Sequence, residues 1–206
     1  MARTTTQRKD LLLCDLGNVL IRFDHRIAVR RILSYTSKTS REIYRYFFDS
    51  PVTRAYEEGR LTSRRFFARV SKDLRLNGLT YREFVPIWSD IFFPNPGMLR
   101  LLKALRRRCR LHLISNINAM HYDHIRRKFP GHLRVFDKVV LSYKVGAQKP
   151  HPRIYRAAVG RPRGRVLYTD DRPDLIRAAR RLGLTAIRFR TVAGLRRELR
   201  RRQVLP

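Results

Sequence analysis

Cysteine is nearly absent from this chain. Cys14 and Cys109 are the two in 206 residues, too few for a disulfide framework, and neither has neighbours at metal-ligand spacing. No apolar run approaches the roughly 18 residues that mark a membrane span, so no membrane association is expected. The opening Met1–Lys9 is basic, but the apolar stretch behind it is broken by Asp15, and a secretory leader is not expected. A transit peptide is disfavoured because Leu11 already reads as the first core strand. The expectation is an intracellular, reduced, cytoplasmic protein. Zinc-finger spacing, a helix-turn-helix pattern and an aromatic-rich RNA-binding signature are missing, as are internal repeats and low-complexity linkers. Carboxylates are scarce: 16 Asp and Glu face 47 Lys and Arg, a formal net charge of +31.

What is abundant is arginine, 39 of the 47 basic residues, densest at Arg196-Arg197-Glu198-Leu199-Arg200-Arg201-Arg202. Such a charge draws polyanions and small phosphates alike, so non-specific binding of nucleic acid or other polyanions is expected. Arginine is also a good helix former, and solvated helix positions account for its spread without a dedicated partner. Hydrophobic residues make up 43% of the chain, with 11 Phe and 9 Tyr, which supports a packed core and excludes a disordered tail. The length suits one domain, or one with a modest insertion. Nothing in the pattern speaks to oligomeric state.

Five short β-prone runs punctuate the chain: Leu11–Asp15, Leu111–Ser115, Lys138–Ser142, Arg165–Thr169 and Thr185–Phe189. Four are continuous or nearly continuous apolar stretches, as expected of strands buried on both faces, while Leu111–Ser115 alternates slightly. Helical patterns lie between the later strands at His121–Lys128, Pro152–Ala158 and Asp174–Leu182, the last stopped by Gly183. Strand–helix alternation argues for an α/β fold with a Rossmann-like parallel sheet. Residues 26–96 differ. They carry helix-period apolar positions (Ile43, Phe47 and Phe48; Phe66, Phe67, Val70 and Leu74; Phe84, Ile87 and Ile91), no strand signal, and a closing breaker at Pro94-Asn-Pro-Gly97. The expected organisation is a core of residues 1–25 and 97–206 with an inserted all-α cap at 26–96.

The polar residues of interest follow the strands. Asp15-Leu-Gly17-Asn18-Val19 closes the first, Ser115-Asn116 ends the second, Lys149-Pro150 lies in the loop after the third, and Asp170-Asp171 follows the fourth. In an open parallel sheet, ligands bind beyond the carboxyl ends of the strands, so three carboxylates, a lysine and a serine are expected to converge on one crevice. Each fragment alone has an ordinary reading: a turn-closing Asp15, a helix start at Ser115-Asn116, a solvated Lys149, or an acidic pair favouring the next helix dipole. Four in order, each at a strand end, favour a site.

With these residues the sequence resembles the haloacid dehalogenase-like hydrolase superfamily. The matching segments are Leu11-Leu-Leu-Cys-Asp15-Leu-Gly-Asn-Val-Leu20, Leu113-Ile-Ser115-Asn116, Val145-Gly-Ala-Gln-Lys149-Pro150 and Leu167-Tyr-Thr-Asp170-Asp171-Arg172-Pro173. The first is similar to the Asp-x-Gly-Asn-Val branch with a helical cap, which includes sugar-phosphate phosphatases. Tyr56-Glu57-Glu58-Gly59-Arg60-Leu61-Thr62 and the Trp88 region look like that branch's cap. The resemblance implies a magnesium-dependent phosphatase acting on a small organic phosphomonoester, a sugar phosphate among them. Asp15 would be the nucleophile and form an aspartyl-phosphate. Lys149, Ser115 and Asn116 would bind phosphoryl oxygens. Asp15, the Gly17 carbonyl, Asp170 and Asp171 would hold the metal, with Asp170 beside or behind it. Arg22, Tyr56, Arg60 and Trp88 could face the crevice and bind substrate. Most phosphatases of the superfamily carry a second Asp two residues after the nucleophile, where this chain has Gly17. The proton for the leaving group would then come from water, from the substrate, or from a residue such as Glu57 or His25. Two alternatives accompany this reading. One is a metal-independent 2-haloacid dehalogenase, disfavoured because those enzymes usually carry an aromatic residue at the Gly17 position and because Asp170-Asp171 signals metal. The other is a weakly active or inactive basic polyanion-binding protein on the same scaffold.

Overall fold

The computed structural model describes residues 9–162 and 164–206; the basic opening segment 1–8, part of the expected core, lies outside the described residues. Along the chain the elements are β1 (Leu11–Cys14), β2 (Ile21–Phe23), α1 (His25–Ile32), α2 (Ser40–Asp49), α3 (Pro51–Glu57), α4 (Ser63–Asp73), α5 (Tyr81–Ser89) and β3 (Phe92–Pro94). There follow α6 (Met98–Leu105), β4 (Arg110–Ser115), α7 (Ala119–Lys128), α8 (Pro130–Leu133), β5 (Lys138–Leu141) and α9 (Ser142–Val145). The chain closes with α10 (Pro152–Val159), β6 (Val166–Asp170), α11 (Pro173–Arg181), β7 (Thr185–Arg188) and α12 (Val192–Arg201).

Five strands form a parallel sheet in the order β5-β4-β1-β6-β7. Its strands read as apolar runs because helices cover both faces. Leu12 and Cys14 point into one cluster with Leu102 and Leu105 of α6 and Leu195 and Leu199 of α12. Leu11 and Leu13 point the other way, against Ile154 and Ala158 of α10 and Ile176 and Ala179 of α11. This is the strict two-residue alternation of a strand. The weaker alternation in β4 has a specific cause: His112 is buried, and its Nδ1 lies 2.7 Å from the Ala158 carbonyl oxygen. A polar ring thus sits in an apolar layer with its hydrogen bond satisfied.

Between β2 and β3 the helices α1–α5 pack around their own core of Val29, Ile43, Phe47, Phe66, Phe84 and Trp88. Their starts are locally encoded. Thr39 with Glu42, and Thr80 with Glu83, form reciprocal capping boxes, and Ser50 caps α3 just before Pro51. Residues 26–96 carry no strand signal in the sequence, yet β3 pairs antiparallel with β2 at the two ends of the helical segment. Three-residue strands carry too little periodicity to register, and Pro94 argues against a strand except at an edge.

Candidate active site

The sheet order reverses at β1, with β4 on one side and β6 on the other. The loops beyond these strand ends converge on a crevice of about 1100 Å³, the place where an open parallel sheet offers its backbone and loops to ligands. Asp15 directly follows β1; its N–H donates to the Thr169 carbonyl at 3.0 Å, which fixes where its side chain emerges. The Lys149 ammonium, almost fully buried, donates to Asp15 Oδ1 at 2.6 Å and to Asp170 Oδ2 at 2.7 Å. Burial opposes the charge on Lys149, and the two carboxylates outweigh it, so the ammonium holds its proton more firmly than an ordinary lysine. Burial lifts the Asp15 carboxyl to about 7, with Lys149 pulling the other way and Asp170 adding to the rise.

Asp170 is fully buried and already committed. Oδ2 also accepts from the Tyr168 hydroxyl, and Oδ1 accepts from the Arg172 N–H at 2.9 Å. Asp171 opens on the crevice, where Asn18 Nδ2 donates to its Oδ2 at 3.1 Å. Oxygens of Asp15, Asp170 and Asp171 lie within 4.8 Å of one another. An all-oxygen set of this size suits a hard divalent cation such as magnesium, which takes few carboxylates and keeps several waters. Asp15 and Asp171 line the crevice and Asp170 does not. The chain therefore presents two carboxylates at the surface of the site with the third behind them.

A model of the haloacid dehalogenase-like hydrolases matches residues 9–183. The chain belongs to that family. Pyrimidine 5'-nucleotidase YjjG of Escherichia coli (strain K12) is 27% identical over 175 residues, covering 79% of this chain and 77% of the relative. A HAD family enzyme of Bacteroides thetaiotaomicron, solved with magnesium and inorganic phosphate, superposes with a TM-score of 0.78 at 23% identity over 90% of this chain and 96% of that one. A HAD-like family hydrolase of Porphyromonas gingivalis gives 0.79 at 23% identity, over 95% and 99%. L-2-haloacid dehalogenase from Xanthobacter autotrophicus gives 0.61 at 17%, over 97% and 85%. These structural likenesses establish the shared α/β fold.

Within this hydrolase the remaining expected site residues divide. Ser115, buried at the end of β4, lines the crevice, as do Gly17 and Asn116. Asn116 is partly engaged, with one of its two amide hydrogens committed. Its Oδ1 accepts from the Lys149 N–H at 2.7 Å and its Nδ2 donates to the Lys149 carbonyl at 2.9 Å, so it pins the lysine's backbone. Tyr56 and Trp88 belong to the helical core and not to the crevice: Tyr56 is 1% exposed and its hydroxyl meets Ser63 and the Met120 N–H. Arg22 sits beside Phe93 on the outer side of β2–β3, because strand alternation turns its neighbour Phe23 inward. Arg60 is exposed and pairs with Glu58 at 2.8 Å. The arginines that do line the crevice are Arg54, Arg153 and Arg172, which a sequence with 39 arginines gives no means of choosing.

The wall opposite the carboxylates is aromatic. The His25 ring centroid lies 3.9 Å from that of Phe48 and 4.5 Å from that of Phe23, both rings tilted to it, and Phe48 continues to Tyr44 at 4.4 Å between centroids. Enclosure lowers His25 to about 4. Glu57, at the end of α3, also faces this space. Its Oε2 accepts from Gln148 Nε2 at 2.7 Å, and burial pushes its carboxyl up to about 7 against that hydrogen bond.

Proposed function

We propose that this chain is a magnesium-dependent phosphatase that hydrolyses a small organic phosphomonoester through an aspartyl-phosphate on Asp15. The observation that carries the reading is the cluster of Asp15, Asp170 and Asp171 oxygens with the Lys149 ammonium wedged between two of them at the crevice floor. A phosphomonoester dianion repels an attacking carboxylate, and the buried lysine answers that problem by placing fixed positive charge beside the nucleophile. Asp15 attacks phosphorus with the oxygen that Lys149 leaves free. Lys149 and Ser115 bind the transferring phosphoryl oxygens, and Asn116 keeps Lys149 in place. Asp15, the Gly17 carbonyl and Asp171 would hold the metal, with Asp170 supporting from behind. Magnesium, when bound, supplies further charge neutralisation and orients the phosphoryl group. Water then attacks the acyl phosphate and restores Asp15.

The division of labour we propose is a core of residues 1–25 and 97–206 carrying the chemistry and a helical cap, 26–96, closing over it. The aromatic wall of Phe23, His25, Tyr44 and Phe48 favours a leaving group with a planar ring over a polyhydroxylated one. A nucleoside monophosphate therefore stands ahead of a sugar phosphate, in keeping with the pyrimidine nucleotidase relative. The cytoplasm, where such phosphates occur, is the proposed compartment. The buried acidic cluster weighs against the metal-independent dehalogenase.

The test is phosphate release from p-nitrophenyl phosphate and a panel including pyrimidine nucleoside monophosphates and sugar phosphates. It is run with magnesium and with chelator, beside halide release from 2-chloropropionate. Phosphate release that vanishes with chelator and with Asp15→Asn supports the proposal. Halide release that persists in chelator overturns it.

A further inference from the structure

We propose that the Glu57 carboxylic acid, carried across the crevice by α3, is the proton donor to the oxygen that leaves phosphorus. This rests on the phosphatase reading of the same crevice. An alkoxide is a poor leaving group, so a phosphatase acting on alkyl esters needs an acid near that oxygen. The loop that carries Asp15 cannot supply one at position 17. A Cβ on Gly17 would lie 2.8 Å from Phe23 Cε1, and that ring is held by His25 and Phe92. Space for an acid next to the nucleophile is filled by an aromatic edge.

The histidines, Asp49 and Glu58 along the crevice are each enclosed, engaged or open to solvent. His25 is enclosed between aromatic rings with its Nδ1 buried and unpartnered, and enclosure keeps it neutral near pH 7. His121 holds the Trp88 carbonyl oxygen at 3.0 Å with one nitrogen and the Asn118 side chain at 3.1 Å with the other, and burial drives it to about 3. His151 caps α10, its Nδ1 accepting from the Arg153 N–H. Asp49 is exposed to solvent, and Glu58 pairs with Arg60. Glu57 differs from all of these. It is half-buried, one carboxyl oxygen takes the Gln148 amide, and among the described residues no partner meets the other. The charges around it are Arg54 and Glu58 on its own helix side, Arg153 from α10 and Arg172 ahead of α11. Burial outweighs them, and the carboxyl keeps its proton up to about pH 7.

The local structure is built to hold that side chain in place. Gln148 immediately precedes Lys149, so Glu57 is tied to the loop that delivers the ammonium to Asp15. The Glu57 carbonyl accepts from Ser142 Oγ at 2.6 Å. Gly59 lets the chain lie flat on α9: its φ is +71°, and a Cβ there would stand 2.1 Å from the Tyr143 carbonyl oxygen. In the first step Asp15 forms the P–O bond, the ester P–O bond breaks, and the Glu57 proton passes to the departing oxygen to give a neutral alcohol. In the second, water attacks the acyl phosphate, the P–O bond to Asp15 breaks, the water's protons leave with the phosphate, and the Glu57 carboxylate regains its proton from solvent. Phosphate leaves and both carboxyl groups return to their starting states.

The experiment compares Glu57→Gln with wild type on p-nitrophenyl phosphate and on 2-phenylethyl phosphate, both with magnesium. Glutamine can still accept the Gln148 hydrogen bond but has no proton of the right acidity to give. A general acid contributes about 10²–10⁴-fold. The variant should therefore lose at least about 30-fold in kcat on the alkyl ester while staying within about 3-fold on the aryl ester, whose nitrophenolate leaves unprotonated. Its dependence of rate on leaving-group basicity should steepen, and the alkaline fall of the wild-type alkyl profile should disappear. Glu57→Asp should recover part of the alkyl rate. Equal slowing of both esters would assign Glu57 a purely positioning role and overturn the proposal, as would no slowing of either. A wild type inactive on both esters would instead remove the phosphatase reading itself, and the proposal with it.

Discussion

Replacing Glu57 by glutamine should stabilise the fold above neutral pH and change little in acid. A carboxyl with a native value near 7 and an unfolded value near 4.5 binds more protons folded than unfolded throughout that interval. Its contribution is complete below pH 4.5 and is lost as pH climbs through 7. Each pH unit of the interval is worth about 1.4 kcal/mol. The full interval thus amounts to about 3 kcal/mol, reduced here to about 2 kcal/mol because the side chain retains some contact with solvent. Glutamine has the same shape, keeps an acceptor for Gln148 and never ionises. The assay is urea denaturation at pH 4, 6 and 8, followed by the fluorescence of the single tryptophan, Trp88, which is buried in the helical core. The advantage of Glu57→Gln over wild type should grow by about 2 kcal/mol from pH 4 to pH 8. A difference that stays flat across this range, or shrinks as pH rises, would refute the account of a carboxyl raised by burial.

Lys149→Met should cost about 3–5 kcal/mol at pH 7, because it strands the Asp15 and Asp170 carboxylates without their shared cation. The loss should ease at pH 5 as the Asp15 carboxyl, lifted to about 7 by burial, takes up its proton, and thermal melts with equal losses at both pH values would contradict this. Gly17→Ala should cost about 1–3 kcal/mol by driving a methyl group into the Phe23 ring. Most of that should return in the double variant with Phe23→Leu, whereas additive losses would show that the two positions do not compete for space. Any nucleic-acid binding by this +31 chain should fall steeply between 50 and roughly 200 mM salt and show little sequence preference, as counterion release requires. A tight, sequence-selective complex at physiological salt would contradict it.

The parallel sheet is legible in the sequence because strands buried on both faces leave continuous apolar runs, of which Leu11–Leu13 is the clearest. Its polar strand ends are legible for a related reason: a carboxylate that abruptly ends such a run, as Asp15 and Asp170-Asp171 do, stands where loops meet. The residues facing the crevice from the helical segment are not. Tyr56 and Glu57 are neighbours on α3, yet one is locked in the helical core and the other faces the crevice. Which side of a short helix turns inward depends on packing against α9 and α4 that no local pattern records. Arg22 and Phe23 pose the same problem on a three-residue strand, too short for its alternation to be read. Asn116 looks like a ligand-binding amide in sequence, and its engagement with Lys149, 33 residues away, exists only in three dimensions.

Asp15 should become covalently phosphorylated during turnover. This is tested most directly by quenching the enzyme during turnover of p-nitrophenyl phosphate with magnesium, reducing with borohydride, and sequencing the peptides by mass spectrometry. An acyl phosphate is reduced to the alcohol, so homoserine should replace aspartate at position 15 alone. It should be absent when chelator is present or when substrate is withheld. Turnover that proceeds while position 15 remains unmodified aspartate, or homoserine at Asp170 or Asp171 instead, would contradict the account.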